Sequence, residues 1–219
     1  MGGKSAVALN VEAPVTPHFD FEREAMAGGC RWVAGVDEVG RGPLAGPVGV
    51  AAVILDPNDL PEGLNDSKAL TEVQRDSLKD VIFAKALSVS IVFASVEEID
   101  TFNIRGAALR AMARAVAALS LRPDLALIDG RDSPDGLICR ARPIIGGDAL
   151  SMSIAAASII AKTTRDALMR NLSLEYPQYG FADHVGYATL GHRRALALSG
   201  PCPYHRRSFR LGDESEADA

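Results

Sequence analysis

Two valine-rich apolar segments on either side of a glycine-rich loop constrain the fold more than any other feature of the sequence. Residues 31–37 and 47–55 each have the length and the β-branched content of a buried strand. Only nine residues separate them, and three of those nine are glycines. Because parallel strands need a much longer connection, this spacing predicts two neighbouring antiparallel strands.

The rest of the chain alternates between helical and strand patterns, which indicates a mixed α/β domain with about five strands. Capping-box motifs at Thr71 and Ser95 predict the starts of two helices, which run to about residues 85 and 119. Further strands are predicted at 87–94, 124–129 and 142–145, and further helices at 153–175 and 188–198. Pro143 cannot donate a ladder hydrogen bond, so we expect the fifth strand at a sheet edge.

Composition favours one soluble, cytoplasmic domain. The chain has 219 residues, of which 47% are hydrophobic, and this is enough for one sizeable core. No apolar run is long enough to span a bilayer, so we expect no membrane contact. The three cysteines are scattered along the chain, which suits a reducing compartment.

The folded domain is predicted at residues 30–211. Residues 1–29 are expected to form a flexible extension and residues 212–219 a disordered acidic tail. The net charge of −5 is concentrated in these two ends, and residues 31–212 alone carry about +1. Charge therefore does not exclude a polyanionic substrate.

Four acidic residues occupy positions where acids are unexpected. Asp37 and Glu38 end the first strand, Asp129 ends the otherwise apolar strand at 124–129, and Asp148 precedes the long helix. Carboxylates near buried strand ends are costly unless they are paired or bound to a cation. Oxygen ligands without a cysteine or histidine cluster favour Mg²⁺ or Mn²⁺ over Zn²⁺.

A geometric objection applies to Asp37 and Glu38, because neighbouring residues on a regular strand point to opposite faces. The glycines that follow predict that the strand stops at about residue 37, so that Glu38 turns toward the same site from a turn or bulge. Alternatively, the acids are ordinary strand-end residues and Glu38 pairs with Arg41. Spacing alone leaves both interpretations open.

The loop Gly40-Arg41-Gly42 matches neither the dinucleotide-binding glycine pattern nor the Walker loop. It is either a tight turn or a place where the backbone approaches a sugar or phosphate too closely to tolerate a Cβ atom.

At these residues the sequence resembles bacterial ribonuclease HII, the type 2 ribonuclease H, over about residues 30–210. The motifs that carry the resemblance, in family order, are VDEVGRGPLAGPV (36–48), NDSKALTE (65–72), EIDTFNIRGAALRAM (98–112), LIDG (127–130), GD (147–148), AAASIIAKTTRD (155–166), YPQYGF (176–181), HVGY (184–187) and HRRSF (205–209). The resemblance implies an RNase H-like fold, with a mixed five-stranded sheet flanked by helices and a helical C-terminal part at about residues 180–211.

The resemblance also implies an endonuclease that hydrolyses the RNA strand of RNA/DNA hybrids and incises 5′ of single ribonucleotides in duplex DNA. It implies that the catalytic residues bind a pair of divalent ions, Mn²⁺ or Mg²⁺; these residues are Asp37, Glu38, Asp129 and Asp148. The residues implied to recognise the ribose are Gly40, Arg41 and Gly42, which would read the 2′-OH through backbone groups, and Tyr187, which would stack on the sugar.

Basic residues in the same motifs are candidates for holding phosphate, namely Lys68, Lys162 and Arg165, although each also fits a solvated charged surface. The chain departs from the family pattern at Gly146, where relatives often have lysine, and at Val185, where a polar residue is common. We expect a monomer that binds nucleic acid. The alternatives are a non-catalytic RNA/DNA hybrid-binding module and another nuclease of the same fold, such as a resolvase or a ribonuclease HIII-like enzyme.

Overall fold

The computed structural model describes residues 16–211. The strands are β1 (Val33–Val39), β2 (Val48–Ile54), β3 (Ser88–Ala94), β4 (Leu125–Asp129) and β5 (Arg140–Ile144). The helices are α1 (Asp20–Ala27), α2 (Glu72–Lys85), α3 (Val96–Ala117), α4 (Met152–Glu175), α5 (Phe181–His184) and α6 (Leu190–Ser199). No helix among these residues has the length and apolarity needed to cross a bilayer.

The five strands form one mixed sheet in the order β3-β2-β1-β4-β5. β1 pairs antiparallel with β2 and parallel with β4, while β5 lies at the edge and pairs parallel with β4. The predicted five-stranded sheet, its antiparallel first pair and its edge strand are therefore confirmed. Because Val36 faces Ile128 across the parallel pair, β1 and β4 end side by side with their acidic residues at the same end of the sheet.

Helices cover both faces of the sheet. Ala34 and Val36 of β1 pack toward α3 in one apolar cluster, whereas the odd-numbered residues of β1 face α4. Gly35 lets α4 approach closely, because a Cβ atom there would lie 2.1 Å from the Ser153 carbonyl carbon. The glycine thus fixes the start of α4, and the residues just before it, directly against β1.

The N-terminal segment is ordered differently from the prediction. Residues 16–29 are not a flexible extension, because α1 packs on the domain with Phe19 and Glu22 buried. Glu22 Oε1 accepts hydrogen bonds from Ser151 Oγ at 2.6 Å and from the Ser153 amide at 3.0 Å, which ties α1 to the first turn of α4. The other residues of the predicted extension and tail, 1–15 and 212–219, lie outside the described residues.

Both predicted capping boxes are present, at Thr71 for α2 and at Ser95 for α3. α3 is interrupted at Asn103, which adopts φ 57° and ψ 169°. The Asn103 side-chain oxygen accepts the Arg105 and Gly106 amides, and so begins the second half of the helix as a cap.

Candidate active site

Two of the four predicted acids, Asp129 and Asp148, are joined through one short turn, and a third, Asp37, lies on the neighbouring strand. Asp129 ends β4, and its Oδ1 accepts the Gly147 amide at 2.7 Å, in the 3₁₀ turn that also contains Asp148. Lys68 Nζ donates to Asp148 Oδ2 at 3.2 Å from the loop before α2. Asp37 lies on the strand next to β4 and is one of the charges that act on Lys68. The structure therefore brings these acids to one end of the sheet.

Glu38 reaches this region by a route that the sequence did not predict. β1 does not stop at residue 37 but runs to Val39, with Glu38 in register with Val50. The expected turn or bulge is therefore wrong, and Glu38 faces the α3 side while Asp37 faces the α4 side. Glu38 lines a cavity of about 290 Å³ whose wall includes Met112 of α3. Its Oε1 accepts from Arg41 Nη1 at 3.1 Å, so the pairing considered from the sequence is also present.

The four acidic side chains are largely buried, and their negative charges repel one another. Burial raises the pKa of Asp37 well above its ordinary value, and the charges of Glu38, Asp129 and Asp148 raise it further. Burial also raises the pKa of Glu38, although the hydrogen bond from Arg41 opposes the shift. The pKa of Asp129 is raised by burial and then by the charge of Asp148. The cluster thus holds more negative charge than its two basic neighbours compensate.

The donor set fits a hard divalent cation. Glu38 Oε2 is buried and has no hydrogen-bond partner, which leaves an acceptor available for a cation. No group of three or more histidine, cysteine, aspartate or glutamate side chains within residues 16–211 is arranged to hold a metal ion as the side chains now stand. Binding would therefore have to draw the carboxylates together, and a cation would compete with Arg41 for Glu38 and with Lys68 for Asp148.

The two glycines of the Gly40-Arg41-Gly42 loop have different structural environments. Gly40 is buried with φ +85°, and a Cβ atom there would lie 2.1 Å from Arg165 Nε. Gly42 is exposed and lacks a positive φ, and a Cβ atom there would lie 3.6 Å from Tyr187 Cε1, an ordinary contact. Gly40 is thus required by the protein itself, whereas Gly42 lies on an open surface beside the predicted stacking residue.

The backbone of Tyr187 is held by a pair of buried histidines, His192 and His205. Tyr187 is 43% exposed, and its backbone carbonyl oxygen lies 2.8 Å from His192 Nδ1. His205 Nδ1 accepts the Cys202 amide, so His205 donates from Nε2 to His192 Nε2 at 3.0 Å, and His192 must carry its proton on Nδ1. Burial lowers the pKa of His192 and lowers that of His205 to about 4, so both rings are neutral. The sequence did not predict this support.

The basic candidates have three different environments. Arg165 is fully buried, with its guanidinium bonded to the carbonyls of Ala45, Pro47 and Val185, so the expectation that it contacts phosphate is wrong. Lys162 is partly buried and pairs with Asp166 at 2.8 Å. Lys68 is 78% exposed in its side chain, and the charge of Asp148 raises its pKa although partial burial opposes this. Of the three, Lys68 is the one next to the acidic cluster.

The comparisons with known proteins agree on one family. The family model described as Ribonuclease HII matches residues 34–211. A Ribonuclease HII from Rhizobium meliloti (strain 1021) is 55% identical over 200 residues, which are 91% of this chain and 92% of that relative. The crystal structure of the ribonuclease H2 from Pyrococcus horikoshii OT3 has a TM-score of 0.71 and 26% identity, covering 82% of this chain and 94% of that one.

A more distant likeness extends to the crystal structure of Bst-RNase HIII in complex with Mn²⁺. It has a TM-score of 0.60 and 19% identity, and it covers 82% of this chain and 67% of that one. At this identity the likeness is one of fold. The RNase H-like fold and the helical C-terminal part implied by the sequence motifs are confirmed.

Proposed function

The chain belongs to the ribonuclease HII family, and we propose that it incises duplex DNA 5′ of single embedded ribonucleotides as well as cleaving the RNA strand of RNA/DNA hybrids. Its membership makes it a ribonuclease H. The observation that supports the finer activity is the position of an exposed glycine, Gly42, which lies next to the Tyr187 ring and follows the strand that carries Asp37 and Glu38.

We propose that Asp37, Glu38, Asp129 and Asp148 hold two divalent cations, Mn²⁺ or Mg²⁺. At such a cluster divalent cations supply a nucleophilic water at neutral pH and stabilise charge on the phosphate oxygens. The buried carboxylates contribute oriented oxygen atoms in a place where water competes poorly. Their raised pKa values mean that protons compete with cations, so we expect cleavage to increase with pH through the range where these carboxyls ionise.

Recognition of one ribonucleotide has to use the 2′-OH, since no other group distinguishes it from its deoxy neighbours. The exposed backbone of Arg41 and Gly42 offers amide donors, and Tyr187 offers a flat face next to them. A site that donates to a hydroxyl is left with unpaired groups when the hydroxyl is missing, and it therefore rejects deoxyribose. Lys68 next to Asp148 would contact a phosphate when the cations release it from the carboxylate.

The test is single-turnover cleavage of a DNA duplex that contains one ribonucleotide, with an all-deoxy duplex of the same sequence as the control. We expect incision 5′ of the ribonucleotide and none in the control. Asp37→Asn should abolish cleavage and leave binding largely intact, because Asn retains the acceptor for the Glu38 amide, which lies 2.7 Å from Asp37 Oδ1. Cleavage that persists in this variant would refute the metal-site assignment.

The competing interpretation, a hybrid-binding module without catalysis, predicts binding of the same duplex with no incision by the unmodified protein under any divalent cation. We also propose that the protein works as a monomer in the cytoplasm. Light scattering of the full chain with and without duplex measures the first of these, and a stable dimer would contradict it.

A further inference from the structure

We propose that Arg206, which lies outside the acidic cluster and is not exposed, is the positioning residue that sets the ribose specificity of the Gly40–Gly42 loop. This inference rests on the proposed reading of the 2′-OH by that loop. Arg206 acts by fixing which way two peptide groups face, so that their amides point to the substrate side.

Arg206 is fully buried, and its guanidinium donates hydrogen bonds to backbone carbonyls of the loop. Nη1 donates to the Arg41 carbonyl at 2.9 Å, and Nη2 donates to the Gly40 carbonyl at 2.5 Å. Nε and Nη2 also donate to the Gly46 carbonyl, at 2.9 and 2.8 Å. One planar group thus ties the Gly40–Gly42 loop to Gly46, and the Phe209 ring lies over it, 5.1 Å from the guanidinium carbon to the ring centroid.

The direction of these carbonyls determines the direction of the following amides. In a planar trans peptide the C=O of one residue and the N–H of the next point opposite ways. With the Gly40 and Arg41 carbonyls drawn inward to Arg206, the amides of Arg41 and Gly42 must point outward. Both residues are exposed, and neither amide donates to a backbone or side-chain acceptor within residues 16–211.

An arginine is needed for this arrangement because its fork presents several donors in one plane at fixed spacing. A lysine in the same place keeps the charge but offers a single ammonium group, which cannot span the Gly40, Arg41 and Gly46 carbonyls together. Arg206→Lys should therefore let one or both loop peptides rotate. A rotated peptide presents a carbonyl instead of an amide, so the oxygen of the ribose hydroxyl loses the donor from which it accepts.

Arg165 of α4 provides a matched control close to the same loop. It is also fully buried and also donates to three carbonyls, those of Ala45, Pro47 and Val185. The amides that follow two of these are already used inside the protein, Gly46 bonding Tyr204 and Gly186 bonding His184, and the third leads into β2. Arg165→Lys should therefore disturb packing to a similar extent without turning a free amide away from the substrate.

The experiment compares dissociation constants for a duplex with one ribonucleotide and for the all-deoxy duplex. They are measured by fluorescence anisotropy in EDTA, so that no cleavage occurs. We expect Arg206→Lys to lower the preference for the ribonucleotide duplex by about tenfold or more, with the all-deoxy constant unchanged. Arg165→Lys should keep the preference of the unmodified protein. Thermal unfolding of both variants reports any general loss of structure, which would weaken binding of both duplexes alike.

An unchanged preference in a folded Arg206→Lys, or an equal loss in both variants, would overturn the positioning role. If the unmodified protein itself shows no preference, the proposed reading of the 2′-OH fails instead. Should Arg206→Lys not fold, amide NMR of the unmodified protein decides the question. The Arg41 and Gly42 amide protons should shift downfield with the ribonucleotide duplex and not with the deoxy duplex, and unaltered resonances would refute the proposal.

Discussion

Replacing each of the two loop glycines with alanine should separate fold from recognition. Gly40→Ala forces a side chain to adopt φ +85° and places Cβ 2.1 Å from Arg165 Nε. The left-handed conformation costs about 1–2 kcal/mol, and disturbing a buried charged hydrogen bond such as the one from Arg165 to Pro47 costs about 2 kcal/mol more. We therefore expect Gly40→Ala to reduce the free energy of unfolding by about 3–4 kcal/mol.

Gly42→Ala should leave the fold intact. Its φ is not positive, and the added Cβ would make an ordinary contact with Tyr187 Cε1 at 3.6 Å, so the change in stability should stay within about 0.5 kcal/mol. The new methyl group would nevertheless stand where a ribose would approach Tyr187 and the loop. We expect cleavage of the single-ribonucleotide duplex to fall by about 100-fold, since misplacing a substrate by about 1 Å costs that much.

Urea unfolding in EDTA and single-turnover cleavage with Mg²⁺ measure the two effects on the same preparations. A Gly42→Ala protein that cleaves like the unmodified protein would refute the idea that the backbone there approaches the sugar. Equal destabilisation by the two substitutions would refute the assignment of Gly40 to an internal role and of Gly42 to an open surface.

Three other predictions follow from the charges. Asp37→Asn should raise the melting temperature in EDTA at pH 7. The pKa of Asp37 is raised in the folded state, so the folded state loses stability as the pH rises from the ordinary pKa of 3.8 through the raised pKa. The gain in melting temperature should vanish near pH 3, and a lower melting temperature at pH 7 would contradict the prediction. The low pKa of His205, about 4, contributes about 3 kcal/mol to the free energy of unfolding above pH 6.5, and this contribution is lost as the pH falls to about 4. Urea titrations should show a smaller loss of stability for His205→Gln, and an equal loss would exclude His205 as the cause. Lys68→Ala should reduce by about one the slope of log K against log salt for duplex binding, and an unchanged slope would show that Lys68 makes no phosphate contact.

The sequence predicted most of the fold because its signals are local. The capping boxes at Thr71 and Ser95, and the Val-rich strands around the glycine loop, depend on neighbouring residues, and all of them are present. The acids could be located because a carboxylate at the end of an apolar strand is visible in the sequence. Their gathering at one end of the sheet follows from the parallel pairing of β1 with β4.

The errors concern interactions between distant parts of the chain. The strand was expected to end at Asp37, but pairing with β2 continues through Glu38 and keeps it regular. The sequence predicts a flexible segment around Glu22, because the hydrogen bonds that hold this side chain run to residues more than 120 positions away. The sequence makes Arg165 a candidate phosphate ligand, because it does not show that three carbonyls surround the guanidinium.

The central claim, that the four carboxylates take up divalent cations, is tested most directly by anomalous diffraction from crystals soaked in Mn²⁺. We predict manganese peaks bound by oxygen atoms of Asp37, Glu38, Asp129 and Asp148, with Lys68 Nζ no longer within 3.2 Å of Asp148. Manganese bound elsewhere, or Glu38 still paired with Arg41 in a metal-free site at saturating Mn²⁺, would contradict the account.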